Sequence, residues 1–293
     1  VSLFDRVILG RRLEEGTFDP HQYRAILMGG GMGSGKSWVN QQMFGSATGT
    51  ATTDLGLKSI SVDDVFLHKA KKAGEDPQTV LFTPKGQDMH FASRAPTTKR
   101  QAQFAKQGLG LVIDGTGQDP KKILDTKEAL EKQGYDVSMV MVKTDKDIAL
   151  KRNRSRGREV PDDLVLASHA KVHAAIPKYK EAFGDNYHEI ENSSAYTPEQ
   201  IKQEIAPKLR AKAMEILEKP LKNPIGRAKL DDEAKTLPPH LAKQVAAVKE
   251  GKPKKPSDIV SRIGGIKQKP QKAACKPGEH MTFGVCRKVG VGA

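Results

Sequence analysis

Five short apolar runs, at residues 23–28, 57–62, 109–113, 137–142 and 187–191, punctuate the first two thirds of the chain. Between them lie longer stretches in which apolar positions recur every three or four residues. The short runs predict buried strands, and the longer pattern predicts amphipathic helices. Helices are expected at 37–44, 97–107, 120–133, 146–153 and 162–183. Gly108, Gly110 and Gly134 stand just before strands, and Asp119-Pro120 opens a helix, so turn chemistry agrees with these boundaries. Strands and helices in alternation predict an α/β fold, a doubly wound parallel sheet with helices on both faces.

The pattern changes after Asn192. One helix is expected over 198–217, where Ile201, Ile205, Leu209, Ala213 and Ile216 form a single stripe. Beyond Pro220 the chain turns Pro- and Lys-rich, with a short helix expected at 239–249. Segments 251–256 and 267–272 have the composition of a linker or disordered tail. The organisation read from this is a lead-in at 1–22, a main domain at 23–192, an amphipathic helix at 193–219 and a basic, partly disordered extension at 220–293.

Charge sharpens that division. The net charge is +14, and residues 194–293, with 21 Lys+Arg against 10 Asp+Glu, carry +11 of it. A basic segment of this kind either attracts nucleic acid or another polyanion, or keeps the chain solvated. The two cysteines, Cys275 and Cys286, flank turn residues and read as a small terminal hairpin that a disulfide would close. Only His280 lies near them, too few ligands for a zinc site. No run of 18 apolar residues is present, which excludes a spanning helix. The charged first six residues do not read as a secretory signal, and a cytoplasmic location is expected.

The candidate chemistry sits at the ends of the strands. Gly30-Gly31-Met32-Gly33-Ser34-Gly35-Lys36-Ser37 satisfies G-x-x-x-x-G-K-[ST], between an apolar run and a helix-like segment. Glycines let successive N–H groups turn toward phosphates, and the helix start adds positive potential. Lys36 is expected on the β- and γ-phosphates of ATP and Ser37 on Mg²⁺, with Trp38 counted among the nucleotide contacts. The second apolar run ends in Asp63-Asp64, where a carboxylate can accept a hydroxyl proton. Asp63 is read as the base and metal neighbour, and Asp64 as a helix cap or a substrate- or magnesium-shell group. The third run ends in Asp114-Gly-Thr116-Gly117, which offers Asp114 to magnesium through water and Thr116 to the acceptor. Finally, Arg152, Arg154, Arg156 and Arg158 crowd the segment before Pro161, where a mobile arginine would neutralise charge on a transferring phosphoryl group.

Taken together, over residues 20–192, these motifs resemble the polynucleotide kinase and zeta-toxin group of P-loop kinases, including those encoded by tailed bacteriophages. Segment 151–161 is similar to the lid of phage polynucleotide kinase in its Arg-Asn, Arg-Gly and Val-Pro elements. The resemblance implies a P-loop kinase domain at 23–192 with ATP and Mg²⁺ as cofactors. It makes Arg156 the transition-state arginine, Arg152 a nucleotide contact and Asp63 the catalytic base; Arg158, in the same segment, is expected to contact substrate. It also implies a nucleic acid 5′-hydroxyl end as acceptor, reached through the lid and basic tail, and a host-cytoplasmic or virion-associated setting. Val65-Phe66-Leu67 stands where that kinase carries an arginine after its Asp-Asp, and 113–117 looks closer to zeta toxins, which phosphorylate a nucleotide sugar. A metabolite kinase and a non-catalytic, nucleotide-binding phage assembly protein therefore stand beside the first reading.

Overall fold

The computed structural model describes residues 19–46, 51–81, 83–155, 160–252, 279–282 and 285–288. Five parallel strands, β1 (Arg24–Gly29), β2 (Lys58–Ile60), β3 (Leu111–Asp114), β4 (Asp136–Lys143) and β5 (Tyr187–Glu191), form one sheet in the order β2-β3-β1-β4-β5. The helices are α1 (Lys36–Phe44), α2 (Val62–Lys72), α3 (Pro77–Val80), α4 (Pro84–Ala92), α5 (Arg94–Lys106), α6 (Pro120–Glu131), α7 (Lys146–Arg154), α8 (Asp162–Phe183), α9 (Ala206–Leu217), α10 (Pro224–Thr236) and α11 (Pro239–Lys249). The expected α/β fold with a parallel sheet is therefore the observed one.

Strand side chains alternate between two cores, as a period of two demands. Ala25, Leu27, Leu111, Val137, Met139 and Met141 point to one layer, which α8 closes with Val172, Ile176 and Tyr179. Ile26, Met28, Val112, Val140 and Val142 point to the other, covered by α1 and α9 through Val39, Met43, Leu209 and Ile216. Because both faces are covered, the strands read as near-continuous apolar runs.

Three local outcomes differ from the pattern in the sequence. The second strand stops at Ile60, because extended Ser61 becomes the N-cap of α2. Asp63 and Asp64 thus lie in the first turn of a helix, beside its positive end, and Asp64 is not the cap. The stretch after them, unassigned by periodicity, folds into α2, α3 and α4 around a small core of Phe66, Ala70 and Val80. The stripe at 198–217 is interrupted: Pro198–Gln200 is a capped turn, Ile201–Ile205 is π-helical, and α9 follows. Pro207 explains the break, since it has no N–H for the carbonyl four residues earlier.

The expected tail begins with ordered structure. Helices α10 and α11 place Leu230, Val245 and Val248 in the same core as Tyr23 and Tyr135. Asp136 fastens this segment by accepting from the backbone N–H of Lys222 (2.7 Å) and Asn223 (2.8 Å) while it pairs with Arg24 at 3.0 Å. Gly226 meets Gly134 so closely that a Cβ on Gly226 would stand 2.1 Å from the Gly134 carbonyl oxygen. Residues Lys255–Ala293 form a separate unit, in which β6 (Glu279–Thr282) and β7 (Val285–Lys288) pair antiparallel. Cys286 falls on β7, whereas Cys275 and its pairing lie outside the described residues. Among the described residues no helix is long and apolar enough to cross a membrane.

Candidate active site

The carboxyl ends of β1, β2 and β3 bring the sequence motifs to one edge of the sheet, the edge where open α/β sheets bind ligands. After β1 the chain turns through Gly33 (φ 77°) and Gly35 (φ 78°) into α1, with left-handed Gly35 as its N-cap. These glycines are required by space as well as by dihedral. A Cβ on Gly33 would stand 2.4 Å from the Ala149 carbonyl oxygen, and one on Gly35 would stand 2.4 Å from Asn192 Nδ2. The loop is thus pinned on its outer side by α7 and by the residue following β5.

Other elements hold the loop's shape. Asn192 Nδ2 donates to the Ser34 carbonyl (2.7 Å), and Ser168 Oγ on α8 accepts from Met32 N–H (3.1 Å) and from Gln118 Nε2 (2.7 Å). Gly30 N–H donates to the Thr116 carbonyl (3.0 Å), tying the ends of β1 and β3 together. Lys36 forms an ion pair with Asp114. Trp38, one residue past the motif, stacks on Tyr196 with ring centroids 6.2 Å apart and planes 18° from parallel.

Ser37, Asp63, Asp64 and Asp114 border a single cavity of ≈ 150 Å³, so the structure brings together the residues read as metal- and hydroxyl-directed. Thr116 lines a neighbouring cavity of ≈ 140 Å³ with Thr97, Gln101 and Lys122, and Asp114 touches both. Asp63 Oδ1 lies 3.2 Å from His90 Nε2 on α4, whose ring meets buried Phe66 edge-on. Arg152 is committed to the scaffold: its guanidinium donates to the carbonyls of Asn192 (2.7 Å), Ser194 (3.2 Å) and Ser34 (3.4 Å). It braces the phosphate loop from behind. Asn153 clamps the base of the expected lid, donating to Val160 O (2.5 Å) and accepting from Val160 N–H (3.2 Å). Arg154 pairs with Asp162. Arg156 and Arg158 lie outside the described residues.

The donor set fits a nucleotide phosphate and a hard cation. A backbone cradle at a helix start suits phosphate, and buried Ser34 Oγ within it has no hydrogen-bond partner among the described residues. Ser37, Asp63 and Asp114 supply oxygen only, as Mg²⁺ prefers, and Mg²⁺ sites of this kind take remaining ligands from phosphates and water.

Sequence reading missed Asn40, His90, Ser168 and Asn192. Asn40 carried a signal, since it lies one helical turn beyond Ser37 on the same face. The other three reach the site only through tertiary packing.

Comparison with curated protein sequences finds no match. Among solved structures, the chain is similar to a protein of the PezAT toxin–antitoxin system of Streptococcus pneumoniae, at 15% identity and TM-score 0.46 over 78% of this chain and 95% of that one. It is similar to shikimate kinase from Bacteroides thetaiotaomicron at 15% identity and TM-score 0.37, over 66% and 98% of the two chains. A chain of the Pnkp1/Rnl/Hen1 RNA repair complex matches at 15% identity and TM-score 0.41, over 54% of this chain and 46% of that one. Residues 26–179, from β1 through most of α8, match the family AAA_33, described as an AAA domain. That match spans more than half of the chain and contains the phosphate loop, the Asp63 helix and Asp114: the protein belongs to the AAA_33 family of AAA domains and has an α/β P-loop kinase-like fold.

Proposed function

We propose that the protein is an ATP- and Mg²⁺-dependent phosphotransferase that moves the γ-phosphoryl group to an acceptor hydroxyl. The observation that carries this reading is the convergence of Ser37, Asp63 and Asp114 on one cavity beside the phosphate loop, with Lys36 paired to Asp114. The loop amides and Lys36 hold and orient the phosphates; as phosphate oxygens arrive, they compete with Asp114 for the Lys36 ammonium. Ser37 and Asp114 would hold the metal, which when bound neutralises charge on the β- and γ-oxygens. Asp63 accepts the acceptor's hydroxyl proton as the new O–P bond forms and the bond between the γ-phosphorus and its bridging oxygen breaks, releasing ADP. His90 on one carboxylate oxygen leaves the other for that proton. Arg156, which lies in the sequence between Asn153 and Val160, is the group assigned to the charge on the transferring phosphoryl.

Two acceptor classes stand. A polynucleotide 5′-hydroxyl end is supported by the lid motif and by the concentration of positive charge in the last third of the chain. A small metabolite such as a nucleotide sugar is supported by the compact cavity at Asp63, whose lining among the described residues contains no Lys, Arg or His. The test is γ-³²P transfer from ATP to 5′-hydroxyl RNA and DNA and to a nucleotide-sugar panel, with Asp63→Asn as control. Label that appears on one class and vanishes in the variant names the acceptor. ATP binding without transfer to any acceptor would leave a nucleotide-binding assembly protein as the better account.

A further inference from the structure

The cavity beside Asp63 holds more polar groups than phosphoryl transfer uses. Its lining includes Asn40 of α1, Ser46 just beyond that helix, and Ser59 of β2. Asn40 is only 7% exposed, and among the described residues its Oδ1 has no hydrogen-bond partner. Unpaired buried acceptors are rare in folded proteins, and one carried by a cavity-lining residue points to a donor brought in from outside. Ser46 Oγ and Ser59 Oγ lie 3.5 Å apart, and Ser61 at the rim makes no side-chain capping bond to its helix. Phe66 and Leu67 add an apolar wall.

This lining selects by charge and by hydrogen bonding. Asp63 and Asp64 border the space and, among the described residues, no Lys, Arg or His lines it, so an anionic group on the acceptor would meet like charge there, while the γ-phosphoryl comes in from the Lys36 side. A neutral ring that carries several hydroxyls fits better: its C–H face lies on Phe66 and Leu67 and its O–H groups donate to the acceptors. We propose that this cavity is a sugar-recognition pocket, in which Asn40 Oδ1 accepts a hydrogen bond from a second hydroxyl on the sugar whose first hydroxyl is phosphorylated. The proposal rests on the phosphotransferase reading and narrows its substrate to acceptors bearing that second hydroxyl, whether ribose at an RNA end or the hexose of a nucleotide sugar.

Trp38, the single tryptophan of the chain and the neighbour of Ser37, supplies the readout. Its fluorescence is titrated with MgATP, then, in the presence of a non-hydrolysable MgATP analogue, with acceptor pairs that differ by one hydroxyl. The pairs are 5′-hydroxyl RNA and DNA of the same sequence, and a nucleotide sugar and its deoxy counterpart. Wild type, Asn40→Ala and the isosteric Asn40→Leu are compared, and γ-³²P transfer is followed alongside. For at least one pair, the wild type is expected to bind the hydroxylated member about tenfold more tightly, and both variants to bring that ratio close to one. A saturable MgATP signal in each variant verifies that it is folded. Equal binding within both pairs, a preference that survives Asn40→Leu, or no binding of either hydroxylated acceptor would overturn the proposal. Failure of the broader reading looks different: MgATP saturates the Trp38 signal, yet no label moves to any acceptor.

Discussion

The two ends of the same parallel sheet use polar residues in opposite ways. At the amino end, Arg24 and Asp136 pair at 3.0 Å, and Asp136 also receives two backbone N–H groups from the chain entering α10. Asp19 accepts from the N–H groups of His21 (2.9 Å) and Gly110 (3.2 Å). Here charge is spent on the protein's own chain and fastens the C-terminal helices to the sheet. At the carboxyl end, Ser34 Oγ and Asn40 Oδ1 are buried without partners among the described residues, glycines keep backbone amides uncovered, and carboxylates border a cavity. His21 Nδ1 and Gln22 Oε1 at the amino end also lack partners among the described residues, so what sets the carboxyl end apart is that its unpaired groups belong to the phosphate loop and to a cavity lined by carboxylates.

That contrast can be broken most sharply at the carboxyl end. Lys36→Ala and Asp63→Asn are each expected to lower phosphoryl transfer by about 10³-fold while the urea midpoint changes little, as read from kcat and equilibrium unfolding. At the amino end the balance reverses. Asp136→Ala strands buried Arg24, and Leu230→Ala opens a cavity beneath α10. Each is expected to lower unfolding free energy by about 3 kcal/mol, with the Trp38 response to MgATP intact in the folded fraction. A loss of transfer without a loss of stability in Asp136→Ala would erase the distinction.

Asn153→Ala stands between the two classes. Losing both bonds to Val160 frees the ends of the segment proposed as a lid, and an approximately tenfold fall in kcat is expected with a smaller change in ATP affinity. Single-turnover transfer separates the two.

The smallest and most diagnostic effect is one of sign. Burial pushes the Asp19 carboxyl from 3.8 up to about 7, and the His21 imidazole from 6.5 down to about 3, helped by Arg24 and Arg210. Between pH 4 and 6.5 the folded state holds an extra proton on Asp19 and lacks one on His21, so the two contributions oppose and largely cancel. Asp19→Asn removes the first, leaving His21, and stability is then expected to rise with pH from about 3 to 6.5. His21→Asn leaves Asp19, and stability is expected to fall as pH rises from about 4 to 7. Thermal unfolding of the two variants across that range reads the slopes; slopes of the same sign would refute the assignment.

Much of this was legible in the chain. The five strands follow from short apolar runs, and the phosphate loop follows from eight consecutive residues whose spacing has a local physical meaning. The Arg-rich segment 151–161 was legible, although the bonds between Asn153 and Val160 within it were not. Asp63 and Asp64 were found, but placed on a strand end rather than in a helix, because Ser61 capping depends on where β2 stops pairing with β3. Helix α10 was not found. Its apolar positions are few, and what holds it is Asp136, Gly134 and Tyr135, about 90 residues earlier.

What the sequence determined by itself is therefore the set of local decisions: which segments alternate, which glycines open a phosphate-sized turn, and which carboxylates end a strand. Each depends on neighbours within a few residues and on backbone sterics. Only the tertiary structure decided that Asn192 and Arg152 brace the loop, that His90 meets Asp63, and that Asn40 faces a cavity with Ser59 rather than a packed core. Those contacts depend on strand order and on which helix crosses which face. Free energy fixes that order through the burial of two whole layers at once, and no short stretch of residues carries it.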